Sequence, residues 1–219
     1  MQAQILYAFH TEDSNALARL AQGLSVRLKE DGGDGAVRYH LAHARYRHGQ
    51  LLAATQVNGA EAELSDCIDD LKPLLERAER SAEGYILQAA CYGALAQLRS
   101  LQAPLLRSRA TDRLASAGAL APRNPRYLLV KAEQELRHAK PGSIERQRGF
   151  EDLQTAVARL DESSATSVGE PGWGHAEAYL QLGTELKSRG DQVQARNLIE
   201  KALLVAPDYK SAQRERGRP

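Results

Sequence analysis

The chain has little of what sheets and membrane spans require. Its 219 residues include 2 cysteines, 1 tryptophan and 1 methionine, and only 5% are aromatic. Val and Ile fill 13 positions, against 66 for Ala and Leu. Ala and Leu lose little side-chain freedom in a helix and β-branched residues lose more, so this imbalance favours helix and excludes a strand-rich sandwich or barrel. No apolar run is long enough to span a bilayer. A formal charge of +1 supplies no bulk field to recruit nucleic acid. Cys67 and Cys91 are too few for a disulfide framework or a cysteine-built zinc site. They are expected to be two buried free thiols. Both fall on helices that meet at a turn near Arg80, at nearly equal heights, so a single bridge is the alternative. The N-terminus lacks a basic region followed by an apolar core, and therefore shows no intact signal peptide. Met1-Gln-Ala-Gln reads equally as an added Met before a processed chain, which weights cytoplasm and periplasm alike.

What is present is repetition. In residues 176–207, Tyr179, Leu182, Leu186 and Ile199 recur at helical spacing and fill the seam of a helical hairpin. Gly183 and Ala202 are small where the two helices must approach. Gly190 suits a left-handed cap, Asp191 starts the second helix, and Pro207 stops it. With Ala195, these positions resemble the signature of the tetratricopeptide repeat, which spaces small and large residues over about 34 positions. Upstream the resemblance is weaker. Leu41, Ala42, Tyr46 and Gly49 follow the first-helix pattern, as do Tyr85, Ala89 and Tyr92. Ala110, Leu114, Ala117 and Pro122 follow the second-helix pattern. Leu128, Ala132, Leu153 and Ala156 mark a further pair.

The resemblance implies an all-α fold, a right-handed superhelix of stacked antiparallel helix pairs with degenerate, elongated N-terminal repeats. The pairs are expected at residues 35–80, 82–122, 124–162 and 174–208. Residues 13–30 carry Leu17, Leu20, Leu24 and Leu28 at helical spacing and read as a lone capping helix behind an N-terminal arm, with Asp13 or Ser14 as its N-cap. Asp31-Gly-Gly-Asp-Gly35 breaks that helix, residues 162–174 read as a loop, and residues 210–219 as a frayed basic tail.

No residue nominates itself for catalysis. Gly-x-Ser-x-Gly, a phosphate-cradling glycine loop and Cys-x-x-Cys are all missing. His40 and His43 share a helix face, but Arg38, Arg45 and Arg47 around them disfavour a metal. The expectation is therefore no enzyme, no cofactor and no metal. Charge is uneven: residues 1–100 carry a net −3 and residues 101–219 a net +4, with Arg107, Arg109 and Arg113 on one helix and Lys210, Arg214, Arg216 and Arg218 in the tail. Such runs are ordinarily solvated. Their functional reading is the steering of an acidic peptide or protein, or head-to-tail contact with the acidic half of another copy. Trp173, alone in a small polar loop, is expected to fold back as a structural plug.

Proteins of the family this chain resembles are mostly interaction scaffolds whose concave face, built by the first helix of each pair, takes a peptide or partner protein. Alignment on Ala42, Ala89, Ala132 and Gly183 puts Tyr39, His43, Tyr46, Arg47, Ile86, Ala90, Leu129, Glu133, Leu180, Thr184 and Lys187 on that face. The competing arrangement has Tyr39 and Tyr46 packed under the N-terminal helix. A small-ligand carrier or transporter accessory with an internal pocket is the alternative function.

Overall fold

The computed structural model describes residues 1–30, 33–76, 81–163 and 171–218. Among these, eleven α-helices and one 3-10 turn account for the regular structure, and no strand occurs. The turn near Arg80, the first residues of the Asp31–Gly35 break and the middle of the loop at 162–174 lie outside the described residues. The chain divides into two compact units. Met1–Ala121 contains α1 (Gln2–His10), α2 (Ser14–Glu30), α3 (Gly35–Ala54), α4 (Ala60–Leu75), α5 (Ala82–Leu98) and α6 (Ala103–Leu120), with the 3-10 turn Ser100–Gln102 joining the last two. Pro122–Pro219 contains α7 (Pro125–His138), α8 (Ile144–Ser163), α9 (His175–Ser188), α10 (Gln192–Val205) and α11 (Lys210–Arg216).

Every even-numbered helix from α2 to α10 buries one stripe at i, i+4, i+7. The stripes are Leu17/Ala21/Leu24, Ala60/Leu64/Cys67, Ala110/Leu114/Ala117, Gly149/Leu153/Ala156 and Ala195/Ile199/Ala202. This spacing keeps three side chains on one helical face. Each of these helices lies against the helix before it, with α1 on α2 the lightest pairing. Close approach is built in: a Cβ added at Gly183 would sit 3.0 Å from both Ala195 O and Ile199 Cγ1. Caps end the helices as the sequence implies. Asp13 accepts from Ala16 N at 2.8 Å, Asp191 accepts from Gln194 N at 3.0 Å, and Gly190 takes φ +89°.

Three expectations change. The N-terminal helix is not alone, because residues 2–10 form α1 and make a hairpin with α2. Ile5 and Ala8 enter one core with Leu17, Ala21, Leu24, Leu41 and Ala44. Burial of such a side chain contributes roughly 1.5–3 kcal/mol, enough to hold a nine-residue helix that propensity alone would not. Residues 210–216 are helical rather than frayed, since Tyr209 and Ala212 are buried and Lys187 on α9 ties Glu215 and the Arg218 carbonyl down at 3.3 and 3.2 Å. The cysteines are not free thiols. Cys67 on α4 and Cys91 on α5 are bonded, with Cα atoms 6.4 Å apart.

Pairs join one another at a repeated place. Two residues after the small residue of α3, α5 and α9 stand Ala44, Cys91 and Glu185. Ala44 packs into the core that α2 shares with α3. Cys91 bonds α4. Glu185 accepts from Arg146 of α8, Nη2 at 2.6 Å and Nε at 3.2 Å.

Between α3 and α4, Arg45 reaches Asp66 at 2.8 Å and Asp70 at 3.3 Å. Burial pushes the Asp70 carboxyl up to about 6, outweighing the opposite pull of Arg45. The folded chain therefore holds this proton more tightly than the unfolded chain does. The contribution is fully present below about pH 4 and is lost as pH rises through 6, on the order of 2–3 kcal/mol. Asp70→Asn is expected to flatten this part of the stability profile. Denaturant midpoints at pH 4 and pH 7 measure it, and an unchanged slope in the variant would remove Asp70 as its source.

Candidate functional site

The face expected to receive a partner is largely closed. Tyr39, His43, Tyr46, Arg47, Ile86, Ala90 and Leu129 are all buried. In the first unit α1 does the closing: Phe9 lies 4.3 Å under the Arg47 guanidinium. Arg47 Nε donates to His43 Nε2 at 3.2 Å and Nη1 to Gln50 Oε1 at 3.0 Å, while Gln50 Nε2 donates to Tyr46 OH at 3.0 Å. This is an internal polar cluster whose hydrogen bonds are made within the unit. His40, beside it, is held below the ordinary imidazole value by burial. In the second unit Leu129 is covered by Gly174, whose φ of +104° and missing Cβ let the backbone come against its Cδ2. Trp173, next to that glycine, is buried, as a plug would be. Among the aligned positions only Glu133, Leu180, Thr184 and Lys187 reach solvent. The Thr184 hydroxyl is committed to Leu180 O at 2.9 Å.

Lys187 leads to an accessible site. It lines a cavity of about 300 Å³ in the second unit, walled by the end of α9, the start of α10 and the end of α11. The floor is apolar, from Ala195 and Ile199, with Val193 exposed at the rim. The cavity carries four cations, Lys187, Arg196, Arg216 and Arg218, against one carboxylate, Glu215. Glu215 lies between two of them, accepting from Lys187 Nζ at 3.3 Å and Arg218 Nη1 at 3.0 Å. Arg196 and Arg216 make no ion pair among the described residues, and both side chains are exposed. Two guanidiniums over a short apolar floor offer bidentate contacts to carboxylates together with a seat for a small apolar side chain. Arg216 stands in the basic tail already marked by charge. Arg196 carried no sequence signal, because one Arg on an exposed helix face is ordinary until the fold brings α11 beside it.

Around the other end of α9, Asp161 accepts from Tyr179 OH and faces His175 Nε2 at 2.8 Å. Burial and the bond to Asp161 push the Tyr179 phenol above its ordinary value. The trio ties the end of α8 to the start of α9. Among the described residues no group of three His, Cys, Asp or Glu side chains converges as a metal site, and no helix is long and apolar enough to cross a membrane.

No protein-family model and no curated protein matches the chain. Among solved structures, it is similar to TTC0263, a thermophilic TPR protein from Thermus thermophilus. The match has a TM-score of 0.63 over 99% of this chain and 97% of that one, at 18% sequence identity. With its helix pairs and recurring buried stripes, the chain has the fold of the tetratricopeptide-repeat proteins.

Proposed function

We propose that the protein is a non-catalytic interaction scaffold that takes an acidic segment of a partner protein in the cationic cavity of α9, α10 and α11. The fold is one generally used for protein–protein contact. The observation that carries the finer reading is the pair of exposed guanidiniums, Arg196 and Arg216, beside an apolar floor. Arg is enriched among residues that dominate interface energy, and a patch of one sign steers an oppositely charged partner. The buried cluster around Arg47 cannot serve the same role, since its donors are directed inward.

Arg196→Glu/Arg216→Glu is the test. Both side chains are exposed, so the helical circular dichroism is expected to stay unchanged. Recovery of the partner from cell extract is expected to fall at least tenfold, equivalent to ~1.4 kcal/mol, and wild-type recovery to fall with added salt. Undiminished, salt-insensitive recovery by the folded variant would remove the cavity from the function.

A further inference from the structure

We infer that the protein works in an oxidising compartment, where the Cys67–Cys91 bond is formed and kept as a permanent staple between the α3–α4 and α5–α6 pairs. The chain has two cysteines and both are in this bond. The pairing is specific to one junction. Cys67 holds the stripe position that Ala117, Ala156 and Ala202 hold in α6, α8 and α10. Cys91 holds the position of Ala44 and Glu185 in α3 and α9. Packing at these places is thus met by residues with no thiol, and here two thiols stand face to face on neighbouring helices. Both residues are 0% exposed. Beside them Gln88 Nε2 donates to Ile68 O at 2.9 Å, a second tie across the same junction.

Other uses of two thiols fit poorly. A catalytic or redox-sensing cysteine needs an accessible thiolate, which burial denies. A metal needs further ligands, and no such group converges among the described residues. A structural bridge remains, and bridges persist where thiol-reducing systems are absent. Its formation removes two electrons and two protons from the cysteine pair. The acceptor is a disulfide oxidant, whose own S–S bond is cleaved to two thiols as the Cys67–Cys91 bond forms. Once the helices have packed, a reductant reaches the sulfurs only through opening of the α4–α5 junction.

Two measurements test this, neither depending on which partner the protein binds. In the first, producing cells are quenched in acid, and the denatured, unreduced protein is alkylated and weighed. The expected mass carries no alkyl group; two alkyl groups would overturn the compartment. In the second, denaturant unfolding of the purified chain is followed with and without dithiothreitol. The bond closes a loop across a sequence separation of 24, for which chain entropy gives an unfolding constant raised on the order of a few hundredfold upon reduction. Cys67→Ala/Cys91→Ala separates the bond from packing. It is expected to keep its helical content, ignore dithiothreitol and unfold near the reduced wild type. An oxidised wild type no more stable than its reduced form, or than the double variant, would overturn the staple.

Discussion

Trp173→Ala is expected to lower the stability of the second unit by about 3–5 kcal/mol, one of the largest single effects in this chain. The indole is 3% exposed, although it stands in a segment whose neighbours in sequence are Pro and Gly. The next residue fixes its position. Gly174 lies against Leu129 and Arg126 of α7, and its N–H donates to Glu177 Oε2 at 3.1 Å at the start of α9. Truncation therefore opens a cavity beside the start of α9, and the Gly174–Glu177 bond there limits collapse. At roughly 2–4 °C per kcal/mol for a chain of this size, the melting point is expected to fall by about 6–20 °C. Far-UV circular dichroism is the measurement, since the variant has no tryptophan left to report. A shift below about 2 °C would show that the indole contributes surface contact rather than core.

Glu185→Ala is expected to cost about 3 kcal/mol, the low end of what removing one partner of a buried ion pair costs. The Glu185 side chain is 9% exposed and is held by two guanidiniums, Arg146 with two bonds and Arg189 with one at 3.0 Å. Without it these cations face each other across the vacated site. Arg146 and Arg189 are 25% and 30% exposed, so water relieves part of the repulsion, which sets the lower figure. Arg189 also keeps its place 3.8 Å over the Phe150 ring. Arg146→Ala and the Glu185→Ala/Arg146→Ala pair complete a double-mutant cycle. A coupling of about 2 kcal/mol is expected, and simple additivity would sink the assignment.

The fold was legible because its information is local. Small residues at Ala42, Ala89, Ala132 and Gly183, a stripe such as Ala195/Ile199/Ala202, and caps such as Asp191 act within one hairpin and leave a period in the sequence. α1 was missed because nine residues with two core positions, Ile5 and Ala8, carry no period. The accessible face was misread for the same reason. Alignment on Ala42 places Tyr39, His43, Tyr46 and Arg47 toward the groove, but whether that face is open depends on α1, and Phe9 covers it. Lys187 stays partly exposed, with α11 beside it. Arg196 leaves no sequence signal, because its place in the proposed cavity depends on α11 lying beside α10 rather than on spacing. For the cysteines, equal helix heights showed that a bond could form, whereas the choice between bond and thiols needed the packing of α4 on α5.

The place two residues beyond each small first-helix residue has a consequence for how the molecule breathes. Where hairpins within a unit pack against their neighbours, each link has its own strength. Ala44 makes a link of ordinary apolar contact, Cys91 a covalent one, and Glu185 one that depends on charge. Amide protons of α4 and α5 should accordingly exchange as one cooperative block, with protection that changes together when the sulfurs are reduced. At the α8–α9 link, protection should instead fall when either Glu185 or Arg146 is replaced, while the α4–α5 block holds. One chain thus carries links of different chemistry, and hydrogen exchange can read them separately.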